Sequence, residues 1–233
     1  TANANNSMLF LVGAVFGIGM ASTILVGQSI GAKDMVQAKR VIGTSFTFFV
    51  AISLSIALVG MFASRRILIW MSTPADALPL AEAYLRIVFM AVPFIYVFAM
   101  LQATLRGAGD TRTPFIFLLM GVGLDIVFNP LLIFGIGPFP KMGIAGSATA
   151  MLIANSVSLA AMILWLRHRR HPLWISRHEN RVYKPDWSIL RALIVKGVPM
   201  GLQMIVISLA MIMMISMVNG YGVETTSAYG AAM

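Results

Sequence analysis

The chain has 233 residues, of which 59% are hydrophobic and only 11% charged, whereas an ordinary soluble domain carries roughly 25% charge. That shortage excludes a water-soluble globular exterior. The absence of Cys excludes disulfide frameworks, thiolate metal sites and cysteine nucleophiles. A surplus of 17 Lys+Arg over 8 Asp+Glu gives a net charge of +9, which points to nucleic acid only if the basic residues are not placed for another reason.

A helix needs about 20 apolar residues to cross roughly 30 Å of hydrocarbon. Six segments reach that length: Ser7–Gln28, Val41–Phe62, Ala83–Leu105, Pro114–Ile136, Gly143–Leu166 and Ala192–Asn219. The expected fold is an all-α integral membrane protein, a polytopic helical bundle with six transmembrane helices. In the first span Gly13, Gly17 and Ala21 recur every fourth residue, the spacing that lets helices approach closely. The third carries Tyr96 and Gln102, two polar groups that could line a cavity or bond a neighbouring helix.

The turn that follows runs Leu105-Arg106-Gly107-Ala108-Gly109-Asp110-Thr111-Arg112-Thr113-Pro114. Its glycines supply backbone freedom, Thr113 is expected as the helix N-cap and Pro114 as the first helical residue. Arg106, Gly107, Gly109, Asp110 and Pro114 thus form a tight turn suited to a hinge or gate contact.

The fourth span holds the one acid at mid-span, in Gly121-Val122-Gly123-Leu124-Asp125-Ile126-Val127-Phe128-Asn129-Pro130. A carboxylate at that depth costs roughly 2.5–3.5 kcal/mol and ordinarily marks a proton or ion pathway. Asp125 and Asn129 stand four apart on one helix face. Pro130 has no N–H to give the backbone carbonyl of Ile126. A carboxylate, an amide oxygen and a freed carbonyl within one turn are hard oxygen ligands for a small cation or proton. The bland alternative is that Asp125 only bonds a neighbouring helix.

The fifth span offers Thr149 and Asn155 as further cavity candidates and repeats the small-residue spacing at Gly146 and Ala150. Residues 167–191 mix Arg, His, Asn, Pro and Trp, as a linker between helical bundles does. Its His168, His171 and His178 have no carboxylate at ligand spacing, so no metal site is expected. Asp186 is placed to cap a helix beginning at Trp187. The sixth span holds Gln203 and many of the chain's 18 methionines, flexible side chains that suit either a promiscuous apolar pocket or a lipid-facing surface.

The loops alternate sides. Those after the first, third and fifth spans hold thirteen Lys+Arg and those after the second and fourth hold four, so the first set is expected in the cytoplasm. The positive charge is then an orientation signal, and no nucleic-acid partner is expected. Trp70, Trp165, Trp174 and Trp187 fall near the expected interfaces. A first span running inward implies one more helix before it. A start at Thr1 and an end within an apolar stretch likewise suggest a fragment.

Four stretches carry a resemblance. They are Arg106-Gly107-Ala108-Gly109-Asp110-Thr111-Arg112-Thr113-Pro114, Asn129-Pro130-Leu131-Leu132-Ile133-Phe134-Gly135, Gly143-Ile144-Ala145-Gly146-Ser147-Ala148-Thr149-Ala150 and Gly27-Gln28-Ser29-Ile30-Gly31-Ala32-Lys33-Asp34. With Gly197-Val198-Pro199-Met200-Gly201-Leu202-Gln203, and in their order along the chain, they resemble the multidrug and toxic compound extrusion (MATE) transporter family. The resemblance implies a transporter of two six-helix bundles, of which this chain supplies helices two to seven. Residues 1–166 would be most of the N-terminal bundle, 167–191 a cytoplasmic linker, and 192–233 the first helix of the C-terminal bundle and the start of the next. It also implies an Asn and an Asp one turn apart that bind the coupling cation in the DinF-type branch, a pair that appears here in reverse order as Asp125 and Asn129. The Glu that NorM-type members carry in the seventh helix has no counterpart before Glu224.

The implied function is a secondary antiporter in the bacterial inner membrane, not an enzyme. It would export small organic, cationic amphiphiles in exchange for H⁺ or Na⁺, with no other cofactor, and would be a monomer at full length. A lipid-linked oligosaccharide flippase of the same superfamily is the nearest alternative, and would be expected to carry basic residues at mid-span. An integral membrane enzyme is the alternative from another class, and would need a nucleophile or paired carboxylates.

Overall fold

The computed structural model describes the backbone of residues 2–70, 78–136, 140–169 and 186–219, and side chains from Gly17 onward except for a few in the last helix. Among these residues six helices run in chain order: α1 (Ala2–Gly31), α2 (Met35–Trp70), α3 (Leu78–Gly107), α4 (Arg112–Phe134), α5 (Ile144–His168) and α6 (Trp187–Asn219). Each falls on one expected span, and most overrun it. Hydropathy marks the stretch that lies in hydrocarbon, whereas backbone hydrogen bonding carries a helix on into water. At 36 residues α2 is about 54 Å long, enough to carry Lys39 and Arg40 at one end and Arg65 and Arg66 at the other beyond the apolar layer. Five of the described helices, α2 to α6, are long and apolar enough to cross a membrane. The expected span on α1, with Gly13, involves side chains outside the described residues. So do the linker residues 170–185, with His171, Trp174 and His178, as well as Ser208 and Glu224.

Pro93, Pro130 and Pro199 lie inside α3, α4 and α6 without ending them, as membrane helices tolerate when neighbours satisfy the freed groups. The start of α4 corrects the sequence reading. The helix begins at Arg112, so Thr113 and Pro114 belong to its first turn rather than to the loop. Thr113 does not cap it. Its own N–H donates to the Asp110 carboxylate at 3.0 Å, and an acidic acceptor there also complements the positive helix end.

The chain packs as two compact units, Ser22–Leu193 and Thr1–Ala21 with Ile194–Met233. In the larger unit α3 is central and meets α2, α4 and α5, while α4 and α5 form a second close pair. Met100, Leu105, Met162, Leu193, Val26 and Val41 are fully buried there. The Ser22 and Ser45 hydroxyls bond each other at 3.1 Å between α1 and α2. Phe62, Val59, Ile116 and Ile126 are exposed, an apolar exterior that suits lipid. In the smaller unit, Gly17 of α1 lies so close to the backbone at Gly197 and Gly201 of α6 that a Cβ there would collide with it. This is the close approach that the spacing of small residues predicts.

Two turns of the larger unit are built alike. After α1 the Asp34 N–H donates to the Ser29 carbonyl and the Lys33 N–H to Ile30, with Lys33 at φ 59°. After α3 the Asp110 N–H donates to Leu105 and the Gly109 N–H to Arg106, with Gly109 at φ 85°. Both are Schellman helix ends with a left-handed residue at the turn, and in both the next Asp caps the following helix.

Candidate functional site in the α4–α5 seam

Two close approaches set the antiparallel register of α4 and α5. A Cβ on Gly146 would lie 2.6 Å from the Leu132 carbonyl oxygen, and one on Gly121 would lie 3.1 Å from Ser158 Oγ. Stepping by fours along α5 gives Gly146, Ala150, Ala154 and Ser158, all buried. The facing steps on α4 are Leu132, Asn129, Asp125 and Gly121. The middle of this seam therefore sets Asp125 and Asn129 at the level of Ala154 and Ala150, whose methyl groups offer no hydrogen bond.

The polar atoms bear this out. Asp125 Oδ1 and Asn129 Oδ1 are both enclosed by protein and accept no hydrogen bond, although an orphaned buried acceptor costs about 1–3 kcal/mol. The pair expected from sequence is thus brought together on one face of α4. Ile126 is 66% exposed and Pro130 is exposed as well. Both side chains thus lie on the outward side of α4, in the turn where Pro130 has no N–H to give the Ile126 carbonyl.

Tyr96 and Gln102 are on α3, and Gln102 is buried with Oε1 accepting from Arg106 Nη1 at 3.4 Å. Thr149 donates to Ala145 at 2.9 Å and Asn155 to Met151 at 2.8 Å, so both spend a donor on their own helix. Gln203 is exposed on α6 in the other unit. A cleft of about 420 Å³ opens at the α1–α2 turn, lined by Gln28, Ser29, Asp34, Gln37 and Ser188 among others.

Arg106, Gly107, Gly109 and Asp110 do form one turn, and Gly107 packs directly on the backbone of Thr23 in α1. The Thr23 hydroxyl donates to the Ala103 carbonyl at 2.9 Å. Ser158 is a seam residue that the run of apolar spans does not single out. Its signal was the continuation of the Gly146, Ala150 spacing by two further steps.

A family profile described as MatE matches residues 2–131, a stretch that contains both Asp125 and Asn129. The chain belongs to the MatE family. Among curated relatives of this MatE chain, the probable multidrug resistance protein YoeA of Bacillus subtilis is 39% identical over 94% of the chain and 48% of its own length. The probable multidrug resistance protein YpnP of the same organism is 29% identical over 99% and 50%. The multidrug export protein MepA of Staphylococcus aureus is 25% identical over 96% and 48%. The chain spans about half the length of the curated relatives it matches.

Solved structures agree on the fold. A MATE protein in complex with MaD3S superposes with a TM-score of 0.81 at 24% identity, over 97% of this chain and 50% of that one. The outward-facing conformation of a multidrug resistance MATE family transporter gives 0.76 at 24%, over 91% and 46%. The chain therefore has the MATE fold over about half the length of those proteins, and its family and its apolar helices make it a multi-pass membrane protein.

Proposed function

We propose that this chain carries the cation-coupling half of an antiporter that exports small organic, cationic amphiphiles across the bacterial inner membrane in exchange for H⁺ or Na⁺, by alternating access of two bundles. Residues 1–166 form most of the first bundle, 167–191 a cytoplasmic linker, and 192–233 the start of the second. The protein acts as a monomer and uses no cofactor besides the coupling ion. It is a transporter rather than an enzyme, as the names of its relatives suggest.

One observation carries the reading: two buried oxygens without hydrogen-bond donors, Asp125 Oδ1 and Asn129 Oδ1, one turn apart in the middle of a membrane helix. Donors are what they lack, and a cation or a proton supplies what a donor would. Binding of the ion from outside removes the cost of that bare pair and favours one state of the bundle. The membrane potential adds about 2.3 kcal/mol per charge per 100 mV.

The test is efflux of ethidium, driven by an imposed H⁺ or Na⁺ gradient, from an efflux-deficient host expressing the full-length protein. Asp125→Asn should abolish the gradient dependence, and Asn129→Ala should weaken it roughly tenfold, as loss of a ligand to a charged group does. Undiminished coupled efflux in both variants would remove the pair from the mechanism.

A further inference from the structure

Ser158 is fully buried, and its Oγ has no hydrogen-bond partner. That is unusual for a hydroxyl in an apolar helix, which ordinarily bonds a carbonyl one turn back. Ser29, Thr47, Ser55 and Thr149 do so here, at 2.8–3.0 Å. The Ser158 hydroxyl is instead turned to α4, where it faces the one position on that face without a side chain, 3.1 Å from the point a Gly121 Cβ would occupy. Gly121 is one turn before Asp125 on the same face. Helical side chains lean toward the N-terminus of their helix, so the Asp125 carboxyl leans toward the level at which Ser158 Oγ stands. Of the four enclosed and unpartnered side-chain oxygens among the described residues, three belong to this seam: Asn129, Asp125 and Ser158.

We infer that Ser158 is a further binding residue of the coupling-cation site. Its hydroxyl and the Asp125 carboxylate take one hard, oxygen-seeking cation between them, beside the position that Gly121 leaves without a side chain. A hydroxyl can act as an oxygen ligand to Na⁺, or can accept from a hydronium or a water that carries the proton. Either way it relieves two orphaned groups at once. The other ionisable side chains of the three helices packed here are Glu82, Tyr84, Arg86, Tyr96 and Arg106 on α3, Arg112 on α4, and Arg167 and His168 on α5. Asp125 is thus the one carboxylate on the two helices that form the seam. The inference rests on the proposed role of Asp125, which must be measured beside it.

The experiment uses the full-length protein in proteoliposomes loaded with ethidium, titrating Na⁺ at fixed pH in one arm and external protons without Na⁺ in the other. The arm to which the unsubstituted protein responds identifies the ion. In that arm Ser158→Ala should raise the half-saturating cation concentration roughly five- to tenfold, the effect of one lost ligand or hydrogen bond, with the maximal rate preserved. The double variant Gly121→Ser, Ser158→Ala returns a hydroxyl to the same gap from the opposite helix and should restore half-saturation to within about twofold. A merely structural serine would lower the amount or maximal rate of the protein and leave half-saturation alone, and that result overturns the inference. If Asp125→Asn abolishes coupling while Ser158→Ala leaves half-saturation unchanged, Ser158 is not a binding residue and the Asp125 reading stands. If Asp125→Asn stays coupled, both fall.

Discussion

Asp34, Asp110 and Asp186 each spend a carboxylate on a helix N-terminus, accepting from the N–H of Gln37, Thr113 and Ser188 at 2.8–3.0 Å. Asp125 is the same residue type in the opposite situation, inside a helix and with Oδ1 enclosed and unbonded. Three carboxylates are thus explained by local folding, and one is left to be explained by function. At Asp186 the Ser188 hydroxyl and N–H, with the Arg40 charge at longer range, hold the carboxyl below its ordinary 3.8. A depressed folded-state value means that the cap is fully effective above the ordinary value and is lost as pH falls through the lower, folded one. In hydrogen–deuterium exchange on the solubilised protein, the peptide covering the start of α6 should therefore be equally protected from pH 5 to 8 and lose protection below pH 3.8. Asp186→Ala should remove that protection at every pH. Protection that persisted in Asp186→Ala would show that the Asp186 N–H bond to Thr44 Oγ1, not the carboxylate cap, fixes this end of the helix.

The helix ends were only partly legible in the sequence. Gly31-Ala32-Lys33-Asp34 and Gly107-Ala108-Gly109-Asp110 look alike as letters, and the structure makes them the same object, a Schellman end followed by an Asp cap. Apolar run lengths placed all six helices because the hydrocarbon layer demands about 20 residues. They could not place the ends, which are set by which side chain captures the first free N–H groups; at α4 it was Asp110 and not Thr113. Gly107 was legible as a turn glycine, yet its stronger constraint is contact. A Cβ there would run into the Thr23 backbone of α1, which cannot yield as a flexible side chain does. Gly107→Ala should therefore cost about 1–3 kcal/mol and lower the thermal midpoint of the detergent-solubilised protein. Gly109→Ala, in open space but at φ 85°, should cost about 1–2 kcal/mol through backbone strain alone. A Gly107→Ala protein as stable as the parent would mean that α1 and α3 can separate at this crossing.

Charge governs the largest scale. Within the larger unit the contacts bring the basic loops to one end: Gly27 meets Gly107, the Asp186 N–H reaches Thr44, and the Phe117 and Trp165 rings meet edge to face at 6.2 Å. The start of α2, the turn between α3 and α4, the end of α5 and the start of α6 therefore share one face of the bundle. That face carries Lys33, Lys39, Arg40, Arg106, Arg112, Arg167, Arg169 and Arg191, and Arg169 lies 6.0 Å from the Trp165 ring, an arrangement that suits a membrane interface. Arg65, Arg66 and Lys141 lie at the other ends of their helices or in the opposite loop. Under the positive-inside rule the crowded end should face the cytoplasm. The absence of Cys makes this directly measurable, because each single substitution introduces one thiol among these 233 residues. In intact cells a membrane-impermeant maleimide should label Arg66→Cys and Lys141→Cys. It should reach Lys33→Cys and Arg112→Cys only after permeabilisation. The reverse pattern would invert the bundle, and with it the direction in which the Asp125 site loads its ion. Labelling on both sides for one variant would mean that the thirteen-to-four imbalance of basic residues does not fix a single orientation.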